Sequence, residues 1–267
     1  MPEGDTVFRA AQLLDRSLSG RALTRSDFRV PQHATADLSG STVLTTISRG
    51  KHLLTRTDTG FTIHTHLKME GSWHVYRAGE RWKRPVSQVR LLLEAGSTTA
   101  VGFSLGLVEL IETPLEHEVV GHLGPDLLGP DWDEAEALRR LGADPDRELT
   151  AALLDQRNLT GIGNMYAAEL CFISGAHPTT AVRDVRDLPR LVRRAKLMLE
   201  QNSERAIQST TGNLRPRERM WVYRRDKSPC RRCGTPIRVA MRGDLGRERA
   251  MYWCPSCQPA VGTQAGA

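Results

Sequence analysis

Long apolar runs are missing from this sequence. No stretch approaches the roughly 18 consecutive apolar residues that a membrane-spanning helix requires. The start of the chain contains Glu3, Asp5, Arg9, Asp15 and Arg16, where an export signal would have an uninterrupted apolar segment. We therefore expect a protein that does not enter the membrane and stays in the cytoplasm.

Cysteine and aromatic residues are scarce. Aromatic side chains make up 5% of the 267 residues, and the hydrophobic fraction of 39% with a mean hydropathy of −0.39 is ordinary for a globular chain with one large or two modest domains. Four of the five cysteines form two Cys-x-x-Cys pairs, which without an export signal favour metal binding over disulfides. The fifth, Cys171, lies in an apolar helical context and is predicted to be a buried, inert thiol.

Acidic residues are few in the C-terminal third. Residues 183–249 hold 19 lysines and arginines against 8 aspartates and glutamates, although the whole chain has a net charge of only +6. A basic region of this kind suits a polyanion, and the sequence has no basic amphipathic helix with an aromatic face, so nucleic acid is favoured over a membrane surface. A solvated basic surface without a partner is the alternative.

The chain starts Met1-Pro2-Glu3-Gly4-Asp5. The initiator methionine is normally removed before proline, which would leave a secondary amine that titrates near pH 7.7 to 8, about two units or more below a lysine. Such an amine is a nucleophile at neutral pH and forms an iminium directly, and Glu3 beside it is a candidate acid. An unremarkable N-terminus is the simpler interpretation of these residues alone.

The order of elements predicts an α+β fold. Apolar residues at helical spacing predict a helix over residues 3–18, which places Pro2 and Glu3 at its positive end. Short β-prone runs between glycine-bearing turns then predict a two-layer β-sandwich or barrel. These runs are Ser41–Ile47, His52–Arg56, Phe61–His66, Ser72–Arg77, Gln88–Glu94 and Leu107–Ile111.

Four segments are predicted along the chain. Residues 1–113 would form the N-terminal β-sandwich domain, and residues 114–220 a helical domain, because Thr113-Pro114 breaks the strand pattern. Residues 221–258 would form a zinc finger, and residues 259–267 a disordered tail.

The spacing of the last four cysteines is the most specific signal in the chain. Cys230, Cys233, Cys254 and Cys257 offer two Cys-x-x-Cys knuckles, which is the ligand set of a tetrahedral Zn²⁺ site. Four thiolates leave no open coordination position, so this metal would be structural. The β-prone segments between the pairs, 237–241 and 250–253, predict a hairpin with a turn at 242–247. Arg249 would stand on it and could contact a phosphate backbone, although zinc ribbons also bind proteins.

Residues 154–169 read as two helices joined by a tight turn. Gly161 and Gly163 permit a close turn, and Asn164 is predicted to cap the second helix. Backbone N–H groups and an amide side chain exposed at such a turn suit a DNA phosphate. A plain helical hairpin is the alternative.

Taken in order, these features resemble the formamidopyrimidine-DNA glycosylase/endonuclease VIII family of base-excision-repair enzymes, in particular its endonuclease VIII-like branch of actinobacterial type. The resemblance spans nearly the whole chain. It includes the Pro-Glu-Gly start, Arg49-Gly50-Lys51-His52-Leu53, His66-Leu67-Lys68-Met69-Glu70-Gly71, the helix-two-turn-helix segment Asp155–Glu169 and the zinc finger with Trp253-Cys254-Pro255-x-Cys257-Gln258.

The resemblance implies catalytic roles for four residues. Pro2 would attack C1′ of a damaged nucleotide and form a Schiff base, and Glu3 would assist opening of the sugar ring. Lys51 matches the lysine placed at the phosphate backbone and implicated in β-elimination. Arg249 matches the zinc-finger arginine associated with phosphate binding and δ-elimination.

The resemblance also implies a DNA-binding set. His66 and Asn164 match groups that hold the phosphates beside the lesion, and Lys68 belongs to the same motif as His66. Met69 matches the wedge that fills the gap left by the extruded base. Judged from the residues alone, Met69 would be a core side chain and Lys51 a surface lysine.

Two departures bear on the substrate. Phe103-Ser104-Leu105-Gly106 stands where formamidopyrimidine glycosylases carry an Arg-x-Phe pair, and the stretch between Thr210 and Val222 is short for a loop that covers 8-oxoguanine. We therefore expect a monomeric bifunctional DNA glycosylase/AP lyase that excises oxidised pyrimidines from damaged double-stranded or abasic DNA and needs no diffusible cofactor. The alternatives are an 8-oxoguanine/formamidopyrimidine glycosylase of the same fold and a catalytically inactive zinc-containing protein that binds damaged DNA.

Overall fold

A computed structural model describes residues 2–243 and 248–260, and the chain in it divides into two compact units after His122. Most of the predicted hairpin turn and residues 261–267 of the predicted tail lie outside the described residues. Within the described ranges, no helix combines the length and the apolar character that crossing a membrane requires. The predicted boundaries after residues 113 and 220 stay predictions.

The first unit opens with helix α1 (Gly4–Leu18), followed by eight strands. The strands are β1 (Arg25–Phe28), β2 (Val43–Arg49), β3 (His52–Thr57), β4 (Phe61–His66), β5 (Ser72–Arg77), β6 (Val89–Ala95), β7 (Thr98–Phe103) and β8 (Leu107–Glu112). A short helix, α2 (Glu116–Val120), follows them, and single 3-10 turns occupy Pro31–His33, Val86–Gln88 and Thr113–Leu115.

Two antiparallel four-stranded sheets form the first unit. Their strand orders are β1-β6-β7-β5 and β2-β3-β4-β8. Alternating residues of both sheets meet in one apolar cluster, in which Leu53 and Ile63 of one sheet share the interior with Leu91 and Ala100 of the other. The predicted β-sandwich with an N-terminal helix is confirmed, and β1 and β7 are additional to the runs identified from the sequence.

Helix α1 forms because its apolar residues recur on one face. Val7, Ala11, Leu14 and Leu18 are all at most 3% exposed and belong to the same cluster as the sheet interior. The helix packs against β2, β3, β5 and β7. The sandwich interior therefore fixes the position of the first residues of the chain.

The second unit is helical with a terminal hairpin. Its helices are α3 (Glu134–Gly142), α4 (Leu149–Leu154), α5 (Asn164–Ser174) and α6 (Leu188–Ser203), and a 3-10 turn lies at Val182–Asp184. Strands β9 (Arg238–Arg242) and β10 (Arg249–Trp253) pair in antiparallel register, with Arg249 opposite Arg242. The predicted hairpin is therefore confirmed.

Helix α5 is the central element of the second unit. Nine of its eleven residues are buried, and one apolar cluster joins it to α3, α4 and α6. On another side, Ala168 and Phe172 pack with Ile237 and Cys254 in a smaller cluster. Helix α5 thus connects the helical core to the cysteine-bearing hairpin.

Candidate active site

The start of α1 is built around two buried carboxyl side chains. Glu3 is the N-cap residue, and its carbonyl accepts hydrogen bonds from the backbone N–H groups of Thr6 at 3.0 Å and Val7 at 3.1 Å. Glu3 and Asp5 are each 0% exposed to solvent, and Pro2 is half-buried. Both carboxyl groups lie at the positive end of the helix dipole, in a position sheltered from water.

Lys51 lies in the tight turn between β2 and β3. Gly50 has φ +58°, a left-handed conformation that glycine adopts without steric cost, and the register closes with Arg49 opposite His52. Lys51 is half-buried. The glycine in the Arg-Gly-Lys motif is therefore explained by the hairpin turn that holds the lysine.

His66 ends β4 and begins a compact loop. Its Nδ1 accepts a hydrogen bond from the backbone N–H of Lys68 at 2.8 Å, so in the neutral ring the proton is on Nε2. Lys68 has φ +53°, and Leu67 is 2% exposed and anchors the loop in the core. Met69 is 61% exposed, so this methionine is not a core residue.

A second loop supports the first. The backbone N–H of Gly106 donates to the carbonyl of His66 at 3.0 Å, and a Cβ on Gly106 would lie 2.6 Å from the Cβ of Lys68. Only glycine fits at this close approach. The segment Phe103-Ser104-Leu105-Gly106 therefore holds the loop of Lys68 and Met69 in place.

Arg84 is a further support that the sequence did not reveal. Its Nη1 donates to the carbonyl of Glu70 at 3.1 Å and to the Ser72 hydroxyl at 2.8 Å, and its guanidinium lies 5.9 Å from the centre of the Phe103 ring. An arginine thus reaches the methionine loop from a different part of the chain, and no local motif around Arg84 signals this role.

Charges at the strand ends act on His66. Burial, and after it the charges of Lys68, Lys51 and the neighbouring His64, together lower the pKa of His66 to about 4. His66 is therefore a neutral N–H donor at neutral pH. Lys51 and Lys68 thus lie near enough to His66, at one end of the sheet, to act on its ring.

The turn before α5 is stabilised by Gln156. Its side-chain amide donates to the carbonyls of Leu154 at 2.9 Å and Ile162 at 3.0 Å, and its Oε1 accepts from the backbone N–H of Gly161 at 3.1 Å. Gly161 has φ +109°, which explains the glycine. No motif in the sequence predicts this role of Gln156.

Asn164 does not cap α5, contrary to the prediction. Gly163 is the N-cap residue, and Asn164 is the first helical residue. The Asn164 amide instead donates from Nδ2 to the carbonyl of Ala250 on β10 at 2.9 Å. Arg249, which is exposed, directly precedes Ala250, so Asn164 is bonded to the residue that follows the hairpin arginine.

The four predicted cysteines converge. Their sulfur atoms all lie within 4.8 Å of one another, and the Cys230–Cys257 and Cys233–Cys254 pairs are separated by 3.9 Å and 3.4 Å. Four ligands at about 2.3 Å around a tetrahedral zinc ion would be about 3.8 Å apart. The cluster is a possible metal site whose donor set and spacing fit Zn²⁺.

Gln258 fixes the second knuckle to the helical core. It is 0% exposed, its Oε1 accepts from the backbone N–H of Cys254 at 3.0 Å, and its Nε2 donates to the carbonyl of Ala176 at 2.7 Å. The glutamine after the last cysteine is therefore a structural residue.

A buried carboxyl group on α5 holds the segment before the hairpin. Glu169, which is 0% exposed, accepts from the backbone N–H groups of Trp221 at 2.7 Å and of Val222 and Tyr223 at 2.8 Å, and also from the Thr210 hydroxyl. The ends of the 210–219 loop are also joined directly, because the Thr210 N–H donates to the carbonyl of Arg219 at 2.8 Å. The loop is consequently short and closed at its base.

Comparisons with known proteins agree with these features. The family model of the formamidopyrimidine-DNA glycosylase N-terminal domain matches residues 1–103, and that of the formamidopyrimidine-DNA glycosylase H2TH domain matches residues 123–213. Among solved structures, a complex between the Lactococcus lactis Fpg and DNA that contains an abasic site has a TM-score of 0.79 at 20% identity, with 97% of this chain and 100% of that chain covered. At this identity the likeness shows the fold alone.

Curated relatives align over the full length. The probable endonuclease 8 2 of Streptomyces coelicolor is 52% identical over 269 residues, which covers 100% of this chain and 97% of that protein. The DNA-(apurinic or apyrimidinic site) lyase Nei2 of Mycolicibacterium smegmatis is 49% identical, with 97% of this chain and 100% of that protein covered. On this evidence, the chain belongs to the formamidopyrimidine-DNA glycosylase/endonuclease VIII family.

Proposed function

We propose that the chain is a bifunctional DNA glycosylase/AP lyase of base-excision repair that works as a monomer in the cytoplasm on chromosomal DNA. The observation that carries this proposal is the start of α1, where Pro2 directly precedes the buried Glu3. The similarity to endonuclease 8 proteins extends over the same residues, since it covers the whole chain. The named activity of the Mycolicibacterium smegmatis relative, cleavage at apurinic or apyrimidinic sites, supports it.

The chemistry starts at the Pro2 amine once Met1 has been removed. Its lone pair attacks C1′ of the damaged nucleotide, the C1′–N bond breaks, and the base leaves with the bonding electrons and takes up a proton. Glu3 protonates O4′ as the sugar ring opens, which gives the iminium between the proline nitrogen and C1′. The burial of Glu3 supports this role, since a carboxyl group sheltered from water can hold and transfer a proton.

Strand cleavage follows from the iminium, which acts as an electron sink. Loss of a C2′ proton expels the 3′ phosphate in β-elimination, and a second elimination expels the 5′ phosphate. Lys51 is proposed for the first step, since its hairpin turn holds it near His66 and Lys68. Arg249 is proposed for the second, because Asn164 fixes the neighbouring residue of β10.

DNA would be held by both units through phosphate contacts. In the first unit, the neutral Nε2–H of His66 and the charge of Lys68 are the proposed donors. In the second, Asn164 uses one N–H for Ala250, which leaves the other for a phosphate oxygen. The 61% exposure of Met69 on a loop fixed by Leu67 and Arg84 supports its role as the wedge, because a wedge must project from a rigid base.

We propose oxidised pyrimidines as the preferred lesions. The 210–219 loop is closed at its base by the Thr210–Arg219 hydrogen bond, so little chain remains to cover a purine lesion. The 103–106 segment packs under Lys68 and contains no arginine that could contact an orphaned base. An 8-oxoguanine or formamidopyrimidine lesion is the second candidate, since one neighbour in fold, a MutM protein, was solved with DNA containing carbocyclic 8-oxo-G.

The metal proposed for the four cysteines is a single Zn²⁺ with a structural role. Four sulfur ligands would fill its coordination sphere, so it would hold the hairpin and take no part in the reaction. The closely spaced sulfur atoms support this proposal, and metal analysis of the purified protein would measure the stoichiometry directly.

Borohydride trapping tests the activity. With abasic duplex DNA, reduction of the iminium should give a stable protein–DNA adduct, and mass spectrometry should place the sugar on Pro2. An adduct on any other residue would contradict the assignment of the nucleophile. Absence of both trapping and nicking, together with retained binding, would favour the inactive DNA-binding protein.

A lesion panel tests the substrate. Matched duplexes carrying thymine glycol, dihydrouracil or 8-oxoguanine at the same position are incubated with equal enzyme, and single-turnover rates are compared. We expect faster excision of the two pyrimidines. A faster rate on 8-oxoguanine would reject the pyrimidine preference and leave the lyase assignment intact.

A further inference from the structure

Three histidines and one glutamate share one face of the β2-β3-β4-β8 sheet. The register places His52 opposite His66, and His64 opposite Leu54 on one side and Glu109 on the other. Directly opposed residues point to the same face of a sheet. The next residues along each strand, including Leu53, Ile63 and Val108, point to the sandwich interior.

These side chains form a continuous hydrogen-bonded chain. The Nδ1 of His64 lies 2.8 Å from Oε2 of Glu109, and the Nε2 of His64 lies 2.8 Å from the Nδ1 of His52. A carboxylate only accepts, so His64 carries its proton on Nδ1 and accepts on Nε2. His52 must then donate from Nδ1, and its Nε2 is left with a free lone pair.

Packing fixes the rings in this arrangement. His64 is 2% exposed, whereas the Glu109 side chain is 39% exposed. The rings of His52 and His64 are stacked with centroids 5.1 Å apart, and His52 meets His66 edge-on at 5.0 Å. The chain therefore runs from a carboxylate at the surface, through a buried imidazole, to the ring beside His66.

We propose that this chain couples phosphate binding to proton uptake: Glu109 and His64 are positioning residues, and His52 accepts one proton at Nε2 when a DNA phosphate contacts the His66 end of the sheet. The inference rests on the proposed function, because it takes DNA as the source of the phosphate. The proton comes from solvent. The resulting imidazolium donates from Nδ1 to His64, and His64 donates to the Glu109 carboxylate. The negative charge of Glu109 offsets the added positive charge.

The surrounding charges explain why the proton arrives with the phosphate. Burial is the largest cause of a lowered pKa of His52, and together with the charges of His66, His64, His122 and Lys68 it brings this pKa to about 3. Arg49 lies opposite His52 on β2, and Lys51 is in the adjoining turn. Two carboxyl groups act on His64: Glu109, which is hydrogen-bonded to it, and Glu116, which is paired with Arg56. His52, at one end of the hydrogen-bonded chain, is therefore neutral until a phosphate offsets the surrounding positive charges.

The sign of the effect follows from this shift. The phosphate raises the pKa of His52 above its value in the free protein, so the complex binds more protons than the free protein does. Binding then strengthens as the pH falls, by up to about tenfold per pH unit for one proton. The strengthening is absent above the pKa of His52 in the complex.

The experiment measures the affinity for a duplex with a tetrahydrofuran abasic analogue between pH 8 and 5 at constant salt, because phosphate contacts depend on salt. Glu109→Gln keeps the hydrogen bond to His64 but removes the charge. We expect a steep pH dependence in the unmodified protein and a clearly shallower one in this variant, with affinities within about twofold at pH 8. Glu112→Gln removes a charge from an exposed position on the same strand and should keep the steep dependence.

Two results would overturn the inference. One is equal pH dependence in the unmodified protein and Glu109→Gln, and the other is an equal loss of affinity at every pH, which would indicate a purely structural role. His64→Gln, with folding verified by thermal unfolding, should also flatten the dependence, since it interrupts the chain.

A second measurement separates this inference from the proposed function. Inorganic phosphate is titrated while NMR of the histidine ring nitrogens follows protonation of His52. Phosphate should promote protonation in the unmodified protein and much less in Glu109→Gln, whether or not the protein cleaves DNA. If the protein neither binds nor nicks abasic DNA but shows this effect, the proposed function fails and the proton-coupled phosphate site stands; no effect of phosphate would contradict the site itself.

Discussion

The two units stabilise their candidate DNA-contacting residues in different ways. In the first unit, the turn of Lys51 and the loop of His66 and Met69 extend from a sandwich with a large apolar interior shared by two sheets and α1. In the second, the hairpin that carries Arg249 has a small cluster of six buried residues, two of which are cysteines. The first site depends on ordinary packing, whereas the second depends on its four sulfur atoms.

The buried carboxyl and imidazole groups of the first candidate site also differ from the hairpin arginine in their exposure. Glu3 and His64 of the first unit are almost completely buried, while Arg249 of the second is exposed. Buried groups interact in a low-dielectric surrounding, which suits bond-making chemistry, and exposed cations suit long-range attraction of phosphates. This comparison fits the proposed roles, in which nucleophilic attack takes place in the first unit and the exposed hairpin arginine contacts a phosphate and assists the second elimination.

Replacement of the nucleophile should give the largest effect. In Pro2→Gly the secondary amine is lost, and we expect single-turnover nicking of abasic DNA to fall by about 10³-fold or more, with DNA affinity almost unchanged. Quench-flow nicking and fluorescence anisotropy measure the two quantities. A comparable fall in affinity would indicate that residue 2 also holds DNA and would weaken the division between the units.

Loss of a cysteine should affect the second unit alone. Cys254→Ser removes a ligand from the hairpin, so we expect about a hundredfold weaker DNA binding while the first unit keeps its fold. Hydrogen exchange of the sheet amides reports on that unit. Cys171→Ser is the control, because Cys171 lies in the helical core and is not one of the four clustered cysteines. If the sheet amides of the Cys254→Ser variant exchanged as fast as those of an unfolded chain, the two units would not be stabilised separately.

Mild acid should destabilise the first unit. The pKa of His52 is lowered to about 3 and that of His66 to about 4 from 6.5, so the neutral forms favour the folded state. This stabilisation is present above pH 6.5 and is lost as the pH falls below it, because the unfolded chain then binds protons that the folded chain does not. Between pH 7 and 5 we expect a loss of about 2 kcal/mol for each histidine.

Urea denaturation at pH 7 and pH 5, monitored in the first unit, measures this loss. His66→Asn should reduce the difference between the two pH values, whereas His117→Asn at an exposed position should leave it unchanged. An unchanged difference in His66→Asn would show that His66 is not held neutral by folding.

Removal of the hairpin arginine should give the smallest effect. Arg249→Ala deletes a proposed phosphate contact, so we expect about tenfold weaker binding and accumulation of the β-elimination product. Arg238→Ala, at the other end of the same hairpin, is the matched control. If both variants behave alike, general positive charge and not a defined contact explains the contribution of the hairpin.

Local patterns carried most of the architecture. The apolar spacing of α1, the alternating runs of the sandwich and the cysteine pairs each depend on residues close in sequence. The helix, the sandwich and the clustering of the four cysteines are confirmed. The sequence pattern does not predict strands β1 and β7. Strand β1 has only four residues, of which one is buried, and β7 is buried along nearly its whole length, so neither shows a strong alternation.

Contacts between residues far apart in the chain could not be predicted from the sequence. Glu169 holds backbone groups more than fifty residues away, and Glu109 meets His64 across 45 positions. Asn164 illustrates the same limit: its position before a helix predicts a cap, but its actual partner, Ala250, is 86 residues away. A single sequence contains no signal for such pairings, because they depend on how the finished elements pack.

The hydrogen bond from Asn164 to Ala250 makes the environment of the Asn164 amide depend on whether the hairpin is folded. Its acceptor lies on a strand that ends next to Cys254, so withdrawal of a bound ion should release the amide well before α5 itself unwinds. The side-chain NH₂ resonance of Asn164 would thus serve as a spectroscopic gauge of metal loading, observable without DNA and without turnover.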